Sequence, residues 1–208
     1  MNSRLTLLAV MGMAVVAAAE PAAKTLCREL EQHLQTLKSL EIRYKASGSG
    51  IGEETAQGRL IWVKPDRFLH ETPNWTVCET GDEQWRYLKD QNTLIRERAP
   101  EQSEWRPGDI LFYAASRFRP ETLEHREDGT RVVGVRSMDE SAPGEGIIEF
   151  PAEGIQPLAL SIRPPEGGDV HYVIVEWTEN GKPEATLFEP PDVPPENLID
   201  FRAAGSKR

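Results

Sequence analysis

The sequence predicts a mainly β (α+β) protein, in which one long, strongly curved antiparallel sheet is covered by an N-terminal helix and short helices. Three observations support this fold class. Leucines recur at helical spacing near the start, short alternating segments fill most of the rest, and turn residues separate those segments about every ten residues. Such spacing favours antiparallel neighbours over βαβ units. The 208 residues are enough for one sizeable hydrophobic core.

The first residues have the pattern of an export signal. Arg4 supplies a positive charge, residues 5–16 form an apolar run, and three alanines at 17–19 offer a small-residue cleavage site. The apolar run is too short to span a bilayer. We therefore expect residues 1–19 to be a cleaved signal peptide and residues 20–208 to form one soluble, exported domain.

The charge balance bears on possible partners. The chain carries a formal net charge of −10, and no cluster of basic residues stands out along the sequence. An acidic exported protein is a poor partner for nucleic acids and for anionic membrane surfaces. We expect neither as a ligand.

Two cysteines, Cys27 and Cys78, occur in the chain. An oxidising compartment permits a disulfide between them, but two buried free thiols fit the sequence equally well. The bulky residue at Leu26 argues against lipid modification of Cys27.

A helix is predicted at the start of the mature chain. Its apolar face consists of Leu26, Leu30, Leu34 and Leu37. From Ile42 the period changes to two, since Tyr44 and Ala46 alternate with basic residues, and this indicates a half-buried strand.

Ten further strands follow from the same alternation and from turn residues. They are predicted over residues 58–64, 67–72, 76–80, 84–88, 93–98, 131–136, 146–150, 158–163, 170–177 and 185–188. Asn180-Gly181 is typical of a tight hairpin turn. An apolar helix is expected over residues 109–117 and a second short helix near residues 120–126.

A sheet of this many strands has to curl, and the helices are expected to cover its concave face. Two architectures are possible. One is a packed half-barrel core, and the other is a half-barrel with an apolar cavity beneath the helices.

Three blocks of sequence carry a resemblance to a known family. They are Gly58-x-Leu60-x-Trp62-x-Lys64-Pro65-x-x-Phe68, Gly81-Asp82-x-x-Trp85-x-Tyr87, and Phe188-x-Pro190-Pro191 followed by Ile199-Asp200. In order and spacing they resemble the periplasmic outer-membrane lipoprotein carriers, the LolA-like family, along nearly the whole mature chain.

The resemblance implies a fold and a role. The fold is an incomplete antiparallel β-barrel of LolA/LolB type, with a helical lid over an apolar cavity. The role is that of a monomeric periplasmic chaperone that carries acylated lipoproteins from the inner to the outer membrane. The implied partners are an inner-membrane lipoprotein-releasing ABC transporter and an outer-membrane receptor lipoprotein, where one exists. No cofactor is implied.

The resemblance and strand alternation together assign candidate site residues. The predicted cavity wall consists of Leu60, Trp62, Phe68, Trp85 and Tyr87. The predicted lid consists of Leu30, Leu34, Ile110, Leu111 and Phe112. Each of these side chains also suits ordinary core packing, so the prediction concerns the set.

Lys64 stands where the family commonly places an arginine that latches the lid. Lysine offers a point charge on a flexible stem in place of a planar fork, so a latch here would be weaker or absent. The Gly81-Asp82 turn also reverses the usual family order. These departures leave open a carrier of another lipid or glycolipid, or a lipid-sensing or interaction module.

An enzymatic role is not expected. The four histidines, His33, His70, His125 and His171, fall on four separate predicted elements and lack metal-ligand spacing. We predict no catalytic residues and no metal site.

Overall fold

The computed structural model describes residues 5–49, 56–99, 109–139, 144–163 and 168–202, with side chains from residue 20 onward. The helices are α1 (Leu5–Thr36) and α2 (Asp109–Phe112). The strands are β1 (Ser39–Ser47), β2 (Ala56–Val63), β3 (Arg67–Glu71), β4 (Trp75–Thr80), β5 (Glu83–Leu88), β6 (Thr93–Arg98), β7 (Phe118–His125), β8 (Arg131–Ser137), β9 (Glu145–Phe150), β10 (Ala159–Arg163), β11 (Val170–Glu179) and β12 (Leu198–Asp200). The predicted fold class, a mainly β chain with antiparallel strands and an N-terminal helix, is confirmed.

The chain divides into two compact units. The long-sheet unit consists of Leu37–Glu104 and Tyr172–Arg208, and the short-sheet unit consists of Met1–Thr36 and Trp105–His171. Each unit is assembled from separate stretches of sequence.

In the long-sheet unit the strand order is β12-β6-β5-β4-β3-β2-β1-β11. Strands β1 to β6 form an antiparallel meander, as predicted. The short edge strand β12 was not predicted, and it pairs parallel to β6.

The register gives the long sheet two faces. On one face Ile61, Leu69 and Trp85 form a buried core with Phe188, which packs from the C-terminal segment. We call this the covered face. The alternate residues of the same strands, including Leu60, Trp62 and Phe68, lie on the opposite face, which we call the Trp62 face.

The predicted strand over residues 185–188 is wrong, because these residues form a 3₁₀ turn. The amides of Leu187 and Glu189 donate to carbonyls three residues earlier, and this local bonding replaces a ladder. Two prolines follow at 190 and 191, which cannot donate to a sheet. The turn places Phe188 in the core of the covered face.

The predicted hairpin at Asn180-Gly181 is wrong, because the segment described after it, residues 182–202, forms 3₁₀ turns and the short strand β12, which pairs with β6 and not with β11. Instead the Asn180 amide donates to the carbonyl of Ser39. The Asn180 side-chain oxygen accepts from the amide of Lys38 at 2.8 Å. The turn therefore fixes the start of β1, which lies beside β11 in the sheet.

In the short-sheet unit the strand order is β10-β9-β8-β7. The predicted helix near residues 120–126 is wrong, because β7 occupies this stretch and pairs with β8. Pro120 is accommodated at a β-bulge between Pro120 and Thr122 on this edge strand. An edge strand tolerates the missing N–H of a proline. The periodicity of the sequence does not show which strand lies at the edge of a sheet.

The predicted apolar helix over residues 109–117 is shorter than expected. Its helical part, α2, ends at Phe112. The amides of Ala115 and Ser116 donate to the Glu31 carboxylate of α1 at 2.9 and 3.0 Å. These donors are therefore unavailable for a longer helix.

Helix α1 runs without interruption from the predicted signal segment to Thr36, and it contains the predicted helix of the mature chain. It packs against β7 and α2. Within the described residues, no helix combines the length and the apolar character needed to span a membrane. Cleavage after residue 19 stays a prediction.

Candidate functional site

The Trp62 face carries an apolar surface on the first three strands of the long sheet. Trp62 lies directly between Leu40 of β1 and Phe68 of β3 in the register. In the neighbouring row, Leu60 lies between Ile42 and His70. Leu40, Ile42 and Leu60 are buried, whereas Trp62 and Phe68 are half-buried. Two paired aromatic residues thus share one face of the sheet with three buried aliphatic residues.

One buried polar contact interrupts this surface. The Tyr44 hydroxyl and the Nε2 of His70 form a hydrogen bond 2.5 Å long. Tyr44 lies opposite Gly58 on β2, and its ring lies so close to Gly58 that a side chain there would overlap it. The missing side chain of Gly58 thus lets Tyr44 reach across β2 to β3.

Aromatic rings surround the Tyr44–His70 pair. The Trp75 ring meets His70 edge-on at 4.6 Å between centroids, and the Tyr172 ring meets Tyr44 edge-on at 5.1 Å. Burial lowers the pKa of His70 to about 4 and raises the pKa of Tyr44. Both side chains are therefore uncharged at neutral pH, in keeping with an apolar face.

Lys64 follows the end of β2 and is exposed. Its Nζ lies 5.7 Å from the centroid of the Trp62 ring, within cation–π range. Its backbone amide donates to the Lys38 carbonyl. The side chain thus stands at the edge of the Trp62 face, and its role as a latch stays a prediction.

The structure does not bring all five predicted cavity residues together. Leu60, Trp62 and Phe68 share the Trp62 face, but Trp85 and Tyr87 lie on the covered face. The register places Trp85 opposite Cys78, and the Trp85 Nε1 donates to the Phe188 carbonyl at 3.2 Å. The C-terminal segment covers these two aromatics, and a groove of about 400 Å³ remains beside them.

The predicted lid residues belong to the short-sheet unit. Leu30 and Leu34 are buried on α1, Ile110 and Leu111 are buried on α2, and Phe112 is half-buried. Ile110 packs over Gly146 of β9, where an added side chain would meet its Cδ1 at 2.7 Å. These contacts account for their burial within that unit, and a lid role stays a prediction.

Both cysteines are buried free thiols, which is the second of the two alternatives that the sequence allowed. Burial raises the pKa of each thiol to about 12, with smaller contributions from Glu31 at Cys27 and from Glu79 at Cys78. Neither sulfur is activated as a nucleophile.

In the part of the chain that the structure describes, no group of three or more histidine, cysteine, aspartate or glutamate side chains is placed to hold a metal ion. Ser161 and His171 form a hydrogen-bonded pair at 2.9 Å on neighbouring strands. This hydrogen bond links β10 to β11.

Sequence reasoning missed the Tyr44–His70 pair. The alternation groups Tyr44 with Ile42 and Ala46 on one side of its strand, and His70 enters only as one of four histidines that lack metal-ligand spacing. The signal that could have found the pair is the strand register, in which Gly58 leaves the space between them.

Comparison with known proteins supports the fold. No family model matches the sequence, and no curated protein matches it. An uncharacterized conserved protein from Thermus thermophilus superimposes with a TM-score of 0.55 at 16% identity, over 86% of this chain and 99% of that one. At this identity the likeness concerns the fold alone.

Two further solved structures are similar at lower scores. LprF from Mycobacterium bovis gives a TM-score of 0.42 at 14% identity, over 85% of this chain and 97% of that one. A LolA superfamily protein from Nitrosomonas europaea gives 0.40 at 7% identity, over 79% and 97%. The neighbours thus include a protein of the superfamily that the sequence blocks resemble, at scores too low to bear on function.

Proposed function

We propose that this protein is a periplasmic carrier that shields the acyl chains of lipoproteins and moves them from the inner to the outer membrane. The observation that carries the proposal is the apolar surface of the Trp62 face. There Trp62 and Phe68, both half-buried, are paired on neighbouring strands and share one sheet face with buried aliphatic residues.

The physical requirement for such a carrier is simple. Each methylene of an acyl chain exposed to water costs about 0.8 kcal/mol, so a chain in transit needs an apolar wall in place of water. Trp62 and Phe68 retain partial exposure and can supply such a wall. Weak, non-directional contacts of this kind also permit release downstream.

The partners follow from this role. We propose that an inner-membrane lipoprotein-releasing ABC transporter delivers the cargo and that an outer-membrane receptor accepts it. These partners rest on the sequence blocks that resemble the lipoprotein carriers and on the predicted export signal. The protein acts as a non-enzymatic binding protein in this proposal.

The first test measures the binding of a synthetic triacylated peptide through the fluorescence of a label on that peptide. Trp62→Glu places a carboxylate on the acyl-binding surface, and we expect at least a hundredfold loss of affinity in a folded protein. The matched control is Trp177→Glu. Trp177 is half-buried on β11, outside the three strands that carry the apolar surface, and its Nε1 donates to Glu179.

Native mass spectrometry of the protein, purified gently from its own periplasm, identifies the cargo. A bound acylated lipoprotein supports the proposal, whereas a phospholipid or glycolipid makes the protein a carrier of that lipid. An empty protein, together with equal peptide affinity for the parent and Trp62→Glu, would refute the acyl-binding surface.

A further inference from the structure

We propose that the long-sheet unit holds a pocket for a phosphate group. The pocket has a volume of about 380 Å³. Its basic lining residues are Arg43 and Lys45 of β1, Arg59 of β2 and Lys89 after β5. Glu71 is the acidic side chain among its lining residues. Leu60, Trp62 and Phe68, which carry the proposed acyl-binding surface, are not among its lining residues.

The strand register concentrates positive charge at this pocket. Arg43 and Arg59 are directly opposite each other on β1 and β2. Like charges in directly opposed positions destabilise a sheet. An anion bound between such side chains would relieve that repulsion, so the arrangement favours a negatively charged ligand.

Glu71 partly balances two of the cations and holds them in place. Its carboxylate accepts from the Arg59 Nε at 2.7 Å and from the Lys89 Nζ at 2.9 Å. Because that contact uses Nε, it leaves the terminal amino groups of Arg59 available to a ligand. Lys89 also donates to the Thr72 carbonyl at 2.7 Å, which fixes its position further.

The two remaining cations differ in their ion pairs. Arg43 forms ion pairs with Glu41 and Glu176, each at 3.2 Å. Lys45 is exposed and makes no ion pair with another described residue. With Glu41 and Glu176 included, three carboxylates face four cations, and the site keeps an excess of positive charge on a chain of net charge −10.

The chemistry fits a phosphate group. Guanidinium and ammonium groups donate charge-assisted hydrogen bonds, and a phosphate presents several terminal oxygens that can accept from more than one of them. Such a group comes either from a phospholipid head group or from a soluble phosphate ester. The two sources share this recognition and differ in whether a membrane is needed.

The first experiment titrates the protein with inorganic phosphate and monitors binding through amide chemical shifts. The second measures cosedimentation of the protein with phosphatidylcholine vesicles that contain phosphatidylglycerol. Lys45→Glu changes the pocket by two charge units, and we expect about a 25-fold loss of affinity, at roughly fivefold per charge. Lys182→Glu, at an exposed position outside the pocket, is the matched control and should keep its affinity.

Saturable phosphate binding that weakens in Lys45→Glu alone supports the pocket and indicates a soluble phosphate ligand. Vesicle binding without phosphate binding, lost in the same variant, supports the pocket and indicates a lipid head group. Failure of both ligands to bind overturns the proposal. Equal loss in both lysine variants also overturns it, because a general charge effect would then explain the binding.

Discussion

Replacing Gly58 by alanine tests the packing of the Tyr44–His70 pair directly. The added methyl group would lie 2.5 Å from the Tyr44 Cζ and 2.9 Å from the Glu71 carbonyl oxygen. The Tyr44 ring therefore has to move, and its hydrogen bond to His70 is lost.

The magnitude follows from three contributions. Overpacking costs about 1–3 kcal/mol, and loss of the buried hydrogen bond costs about 1 kcal/mol. Replacing glycine within a strand returns about 0.5–1 kcal/mol. We expect the free energy of unfolding to fall by about 1–3.5 kcal/mol in Gly58→Ala.

The assay is urea unfolding at pH 7.5, followed by tryptophan fluorescence. The control is Gly181→Ala, where the new methyl meets the Thr178 Cγ2 at an ordinary 3.7 Å, and its effect should stay within about 0.5 kcal/mol. In a Tyr44→Leu background the cost of Gly58→Ala should fall by at least half. An equal cost in both backgrounds would show that the Tyr44 ring does not set the packing at Gly58.

Two further predictions concern buried polar groups. Because the folded-state pKa of His70 is lowered to about 4 from 6.5, its contribution to stability is present above pH 6.5 and is lost as pH falls to 4, by about 3 kcal/mol at most. Urea midpoints between pH 7.5 and 4 measure this, and a His70→Gln variant with an unchanged pH slope would contradict it. Glu31→Gln weakens the carboxylate contacts with the Ala115 and Ser116 amides, and we expect a loss of about 1–2 kcal/mol. The exposed Glu29→Gln is the control in the same unfolding assay, and equal effects of the two substitutions would rule out a special role for Glu31.

The strands of the long-sheet meander could be predicted closely from the sequence. The strand predicted over residues 93–98 is β6 itself, and that predicted over residues 67–72 differs from β3 by one residue. Alternation and turn residues are local signals, so they can be recognised from a short stretch of sequence. The prediction for residues 185–188 failed because Phe188 is buried against strands that are far away in the sequence.

The candidate site could be predicted only in part. Alternation correctly grouped Leu60 with Trp62 on one strand. It could not decide whether Trp85 and Tyr87 of another strand share that face, because a period of two is the same for both faces of a sheet. The register settles this, and it places the two pairs on opposite sides.

The sequence by itself determined the mainly β class, the N-terminal helix and the antiparallel meander of β2 to β6. These features depend on residue types a few positions apart. Only the tertiary structure decided which side chains meet. It joined Tyr44 to His70 across Gly58, turned Trp85 toward Phe188, and gathered Arg43, Lys45, Arg59 and Lys89 around one pocket. Strand pairing brings together residues that are far apart in the chain, and no local pattern records those contacts.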